Sequence, residues 1–275
     1  MAENGFDVNS FSDHLSEGPF WEIQFGSSPL VAAAIHDGHA VRREVMELLA
    51  VSETDRLHEE DPHTAFWTSI VPTRIVGLRS RFEVDFNRPR DKAVYLVPSD
   101  AWGLRVWNSP PPEEIVARSL AEYDMFYRHV EETLESLVSR FGQVVVLDLH
   151  SYNQRRGGVD GLEADAEGNP EVNIGTGTMD RKRWSPVVDR FMEELRGFDF
   201  FGRTLDVREN IKFSGGQLSK WIHGRFPDSV CSIAVEMKKF FMDEWTGEVD
   251  RMQLHEIGEL LRIGAIGILQ ELNNA

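Results

Sequence analysis

Three short apolar runs recur along the chain, and each closes on ionisable residues. "PLVAAAI" (29–35) leads directly into His36, Asp37, Gly38 and His39. "QVVVLDLHSY" (143–152) carries Asp148 and His150 near its end, and "SVCSIAVEM" (229–237) carries Glu236. Apolar runs of this length, bounded by polar residues, predict buried strands. Between them the period changes. "AVRREVMELLAV" (40–51) places Val41, Val45, Leu48 and Leu49 on one helical face. Residues 110–142 form a long helical stretch opened by prolines and closed by Gly142, the expected punctuation. Residues 181–196 and 252–272 also read as helices.

Shorter signals fill the gaps. "TRIVGLR" (73–79) and "RFEVDFN" (81–87) read as strands, the second with Phe82, Val84 and Phe86 inward and Glu83, Asp85 and Asn87 outward. "SETDRLHEEDPHTAFWTSIV" begins as a cap and a charged loop, with Pro62 opening a short helix. "IKF" (211–213) reads as a short strand. Strands alternating with helices predict an α/β fold: a mostly parallel or mixed sheet flanked by helices, in a single domain over 1–275. The ligand crevice of such sheets lies at the carboxyl ends of the strands. That rule brings His36, His150 and Glu236 to one rim.

Candidate chemistry follows from those strand ends. Imidazole is the commonest neutral metal ligand, and a catalytic zinc takes three protein ligands and an open position. "HDGH" offers His36, Asp37 and His39; "DLHS" offers His150, with Asp148 on the same strand face as a partner for it. A further acidic ligand has three candidates in "HEEDPHT", namely Glu59, Glu60 and Asp61. Glu236 is suited to act as a general base toward water. Arg79, Arg81, Arg88 and Arg90 cluster around "SRFEVDFNRPR", where the Asn87–Arg88 pair is suited to gripping a carboxylate. "FSGGQLS" (213–219) and "NIGTGT" (173–178) read as rim loops, since neither continues into the Gly-Lys-Ser/Thr of a P-loop. Ser151 beside His150 lacks the Gly-x-Ser-x-Gly elbow of a serine hydrolase.

Composition narrows the partners. The 275 residues carry a net charge of -17, and the longest basic clusters are Arg-Arg pairs and "RKR" at 181–183, so no footprint for nucleic acid is visible. The one cysteine, Cys231, lies within an apolar run and reads as core; a zinc site built on several thiolates is excluded. The polar, acidic N-terminus has neither the basic start nor the apolar centre of a signal peptide, and no apolar run approaches the ~20 residues that span a bilayer. A cytoplasmic protein acting on a small molecule is expected, with no nucleic acid or membrane as partner. The sequence carries no signal for an oligomeric state.

"IHDGH", "EEDPHT", "SRFEVDFNRP" and "DLHSY", in that order, resemble the N-formylglutamate amidohydrolase family, over roughly residues 28–250. The resemblance implies a zinc-carboxypeptidase-like, phosphorylase/hydrolase-like α/β fold. It also implies hydrolysis of N-formyl-L-glutamate to formate and L-glutamate in histidine breakdown. Zinc, or another divalent metal, would be held by His36, His150 and an acidic ligand best matched by Asp61, with Glu60 as the alternative. Asn87 and Arg88 match a pair that holds a substrate carboxylate, and Glu236 stands in the place of the general base. Arg81 or Arg88 would stabilise the oxyanion, with Arg81 assigned that catalytic role and Arg88 assigned to binding. The chain departs from the family at Ile35, where proline is usual, and at Asp37, where serine or alanine is usual; Asp37 is thereby expected to add a charge beside the metal. The alternatives are a related zinc carboxypeptidase or N-acyl-amino-acid hydrolase with another substrate, and a non-catalytic metal-binding domain on the same scaffold.

Overall fold

A computed structural model of the protein describes residues 18–155 and 157–274. Residues 1–17, most of the N-terminal stretch read above for its lack of a leader, lie outside them. The strands are β1 (Trp21–Gln24), β2 (Leu30–Ala34), β3 (Thr73–Gly77), β4 (Val144–Tyr152), β5 (Val172–Gly175), β6 (Val207–Glu209) and β7 (Val230–Lys238). They form one mixed sheet in the order β1-β3-β2-β4-β7-β5-β6. β2, β3, β4 and β7 run parallel; β1 is antiparallel to β3, and β5 to β7. The two central strands, β4 and β7, are apolar on both faces because helices cover both.

Residue parity along β4 assigns the layers. Val145, Leu147 and Leu149 face α5 (Ser185–Gly197) and α7 (Arg251–Asn274) in one core cluster. Val144 and Val146 face α4 (Glu113–Phe141) and α6 (Gln217–Arg225) in another. Asp148 and His150 continue the second series past the apolar cluster, toward the carboxyl end of the strand. Three shorter helices, α1 (Arg43–Met46), α2 (Glu53–Glu59) and α3 (Thr64–Trp67), lie in the connection from β2 to β3. Among the described residues no helix is long and apolar enough to cross a membrane.

Four local expectations are corrected. The 40–51 pattern is helical only at α1, because Ala50 N–H donates to Val106 O (2.8 Å) and Asn108 N–H to Leu48 O (2.9 Å), which draws the second half into pairing with 106–108. The charged loop after Ser52 is helix α2, capped by Ser52 Oγ accepting from Asp55 N–H (3.0 Å). "IKF" is not a strand; the strand is β6, just before it. "RFEVDFN" is a run of turns rather than a strand. Phe82, Val84 and Phe86 do point inward, yet Glu83 and Asp85 are buried too. Period-two alternation marks one apolar face but is silent on whether the polar face is also covered. Here Arg42 claims Glu83, through its backbone N–H (2.9 Å) and its guanidinium, and a cluster of donors claims Asp85.

Candidate active site

The end of β2 is fixed by sterics. A Cβ on Gly38 would fall 2.2 Å from the carbonyl carbon of Leu78, so only glycine allows the His36–His39 turn to lie flat against the exit of β3. The turn directs His36 inward. His36 O then accepts the backbone N–H of Asp61 (3.0 Å), which ties the segment after α2 to the end of β2. The same segment is pinned from β7. The buried Lys239 ammonium donates to His58 O (2.7 Å), Glu60 O (2.7 Å) and Asn153 Oδ1 (2.8 Å), using all three of its hydrogens. His150 arrives from β4.

These constraints bring His36, Asp61 and His150 together, all buried, with one ligand atom of each lying within 4.8 Å of the others. His150 Nδ1 is 2.9 Å and His36 Nδ1 3.4 Å from Asp61 Oδ2. The far nitrogens face carboxylates: His36 Nε2 lies 2.7 Å from Asp85 Oδ1, and His150 Nε2 lies 3.0 Å from Asp148 Oδ1. A carboxylate at Nε2 favours the tautomer protonated there, leaving both Nδ1 lone pairs aimed inward. His36 Nδ1 is buried with no hydrogen-bond partner. Two lone pairs and a carboxylate oxygen converging in a buried place could hold a cation between them, and the donor set fits a divalent metal such as zinc. The same buried carboxylates also draw protons toward these lone pairs. Burial would raise the Asp61 carboxyl, but the adjacent His150 and His36 rings hold it well below the usual range. Burial would lower His150, but Asp148 and Asp61 hold it well above the ordinary imidazole value.

Asp85 is the hub of the shell around this group. Its carboxylate accepts from His36, from Arg81 Nη2 (2.8 Å), from the Asn87 backbone N–H (2.7 Å) and from the Tyr95 hydroxyl. Despite burial, the Arg81 and His36 charges hold it well below the usual carboxylate range. Partners that orient a ligating histidine are typically worth ~10–100-fold in metal affinity. Asp85→Asn should weaken zinc binding by about that factor while the fold persists. Competition against a chromophoric chelator measures it, and an unchanged affinity would remove Asp85 from this role.

The group opens into a cleft of about 370 Å³ lined by Glu59, Arg81, Asn87, Arg88, Trp102, Ser151, Tyr152, Lys212 and Glu236, among others. This volume suits a small molecule. Glu236 sits beside His150 in the β4–β7 register. Burial, reinforced by the Asp61 and Asp148 charges and opposed by His150, pushes its carboxyl up to about 7. Arg81 and Arg88 stack on Trp102, at 4.8 and 5.8 Å from its ring centre. Asn87 Oδ1 accepts the Leu218 N–H at the start of α6 (3.0 Å), and its Nδ2 lies 3.3 Å from His150 Nε2. A Cβ on Gly216 would land 2.3 Å from the Asn87 amide, so the Gly-Gly of "FSGGQLS" makes room for that side chain.

A family model described as N-formylglutamate amidohydrolase matches residues 28–242. The chain belongs to the N-formylglutamate amidohydrolase family. A crystallised N-formylglutamate amidohydrolase from Ralstonia eutropha JMP134 superposes with a TM-score of 0.72 at 19% identity, covering 92% of this chain and 98% of that one. A gene product from Agrobacterium tumefaciens superposes with a TM-score of 0.67 at 17% identity, over 92% and 96% of the two chains. At these identities the two structures establish the shared fold. A search of curated proteins gave no significant match.

Within this family fold, the sequence-derived candidates are distributed unevenly. His36, Asp61 and His150 converge; Glu236, Arg81, Asn87 and Arg88 line the same cleft. Glu60 turns away, toward His39 Nδ1 (2.5 Å) and the Ser80 hydroxyl, so neither it nor His39 joins the group. Asp37 is not among the convergent donors either: its carboxylate accepts the Ala65 N–H (2.9 Å) at α3, while its charge and that of Asp61 still act on each other. Sequence reasoning passed over Asp85, Trp102, Lys212 and Lys239. For Asp85 a signal existed: an acidic residue set between Arg81 and Arg88 inside an apolar alternation.

Proposed function

We propose that the protein is a metal-dependent amidohydrolase that cleaves N-formyl-L-glutamate, or a closely related N-acyl amino acid, to formate (or the corresponding acid) and the free amino acid. The observation that carries this reading is the buried, unpartnered His36 Nδ1 converging with His150 and Asp61 in a cleft that also holds Glu236 and two arginines. His36, Asp61 and His150 would hold the metal, zinc by the chemistry of the donors. Such an ion polarises an amide carbonyl and lowers the pKa of water toward ~7.

The remaining work falls to side chains. Asn87 and Arg88 hold the α-carboxylate of the substrate, the guanidinium as a charged fork and the amide as a further donor. Arg81 brings positive charge toward the developing oxyanion, its orientation fixed by Asp85 and Tyr95. Glu236 accepts a proton from the attacking water and returns it to the leaving amide nitrogen, so that C–N cleavage releases a neutral amine. A carboxyl raised toward neutral pH suits a base that must also give its proton back.

Zinc-loaded protein assayed on N-formyl, N-acetyl and N-succinyl amino acids is the direct test. N-formyl-L-glutamate should give the highest kcat/KM, and dialysis against a chelator should abolish turnover. Hydrolysis of none of these compounds, or full activity after metal removal, would refute the proposal.

A further inference from the structure

We propose that Trp102 is a positioning residue whose ring holds the guanidinium of Arg88 in the orientation that meets the substrate carboxylate. The inference rests on the amidohydrolase reading and assigns the group that keeps its carboxylate fork in place.

Arg81 and Arg88 both lie over the Trp102 ring, yet they depend on it unequally. The Arg81 side chain is only 11% exposed and is fixed without the ring: it pairs with Asp85 Oδ2 (2.8 Å) and donates to Tyr95 Oη (3.1 Å) and Glu59 O (3.2 Å). Asp85 is in turn filled by His36, Arg81, Tyr95 and the Asn87 backbone N–H. Arg88 reaches that carboxylate only at 3.7 Å, through Nε, and its side chain is 39% exposed. The ring of Trp102, with its centre 5.8 Å from the guanidinium carbon, is the surface against which Arg88 rests. Stacking engages the flat face of a guanidinium and leaves the N–H donors along its edge for a carboxylate. An arginine held this way has less rotamer freedom to lose when a ligand arrives.

The turn that carries Trp102 is shaped for this task. Trp102 has φ +52°, a left-handed backbone that a bulky residue adopts at a cost. Such strain persists where the surroundings over-determine it, and it concentrates at ligand sites. The surroundings here are firm. Pro98–Ala101 form a 3-10 turn, and Ala101 is buried in one core cluster with Tyr95. Gly103 N–H donates to Pro98 O (2.8 Å), Leu104 N–H to Ala101 O (2.8 Å), and Val97 N–H to the Asp100 carboxylate (3.3 Å). The buried Tyr95 ring meets the indole edge to face at 5.9 Å. Trp102 itself lines the cleft and stays 42% exposed. Burial does not account for a strained tryptophan left this open; the two guanidinium groups over its ring do.

The experiment reads KM against kcat. Hydrolysis of N-formyl-L-glutamate is measured for zinc-loaded wild type, Trp102→Leu, Trp102→Phe, Arg88→Ala and the double variant Arg88→Ala/Trp102→Leu, with circular dichroism confirming the fold of each. Trp102→Leu keeps apolar bulk but has no ring face, so KM should rise about 3–30-fold, the scale of a cation–π contact in a partly desolvated site. kcat should stay within about twofold, because Arg81 keeps its other partners. Trp102→Phe should recover most of the loss. In the Arg88→Ala background, Trp102→Leu should add less than about twofold, since the residue it acts through is gone. An unchanged KM in Trp102→Leu, no recovery in Trp102→Phe, or an undiminished effect without Arg88 overturns the proposal. Side-chain NMR of the Arg88 Nε–H group supplies a readout without substrate: its order parameter should fall in Trp102→Leu and return in Trp102→Phe. If wild type hydrolyses no formyl compound, the amidohydrolase reading fails. The order parameter then decides the positioning role by itself, a fall supporting it and an unchanged value overturning it.

Discussion

His36→Ala and His150→Ala should each leave the chain with less than about a tenth of the metal that wild type retains after zinc loading and desalting. A catalytic site has three protein ligands, so the loss of one removes a third of its bonds together with the geometry that the other two depend on. The three donors belong to three separated segments, at the end of β2, after α2 and near the end of β4, so none of them can be supplied by a neighbour in sequence. Each substitution also takes one donor from a buried carboxylate, Asp85 or Asp148, that keeps its other partners. A hydrogen bond to a charged group is worth about 1.5–3 kcal/mol, so both variants should also melt below wild type. Metal content is read by atomic absorption on protein confirmed as folded by circular dichroism. About one equivalent of zinc in both folded variants would mean that the two histidines are not ligands.

The second large effect separates base from ligand. Glu236→Gln keeps the shape of the side chain but removes its ability to take a proton, and loss of a general base typically costs ~10²–10⁴-fold in rate. Glu236 is not one of the three convergent donors, so zinc content should remain near one equivalent. The wild-type rate should fall on the acid side as Glu236 becomes protonated, because only its ionised form accepts a proton. Burial sets that carboxyl at about 7, and the charge of a bound cation would move it lower. The variant should lack this acid limb altogether. Steady-state kinetics across pH, with metal analysis of the same samples, gives all three quantities. Wild-type turnover in Glu236→Gln, or loss of its zinc, would overturn the central step of the mechanism.

The sequence was most legible where hydrophobicity had one meaning. β2, β4 and β7 are short, apolar and buried on both faces, so a continuous run could only be a covered strand, and their order placed His36, His150 and Glu236 at one end of the sheet. The long helices α4, α5 and α7 were equally plain, since a period near 3.6 over three or more turns is hard to imitate. The edge elements were less so. β1 has four residues, half-buried and exposed in alternation, and carries no run long enough to stand out. α1 is cut short by backbone pairing with residues about sixty positions away, which local periodicity does not contain.

What the sequence determined by itself is the chemistry on offer: a set of histidines, carboxylates and arginines at the ends of buried strands, in an order that resembles one hydrolase family. What only the tertiary structure decided is which of these groups meet. Glu59, Glu60 and Asp61 are consecutive and chemically alike, and His36 and His39 share one turn. Asp61 reaches the two histidines because its backbone N–H is tied to His36 O and Lys239 holds the carbonyls just before it, while Glu60 is drawn off to His39 and Ser80. Asp85, assigned outward by alternation, became the central acceptor because the segment folds as turns beneath Arg81 and Tyr95 instead of as a strand. The physical reason is common to these cases. A ligand contact is sensitive to displacements of about an ångström, and over such distances position is set by hydrogen bonds and packing between segments far apart in the chain.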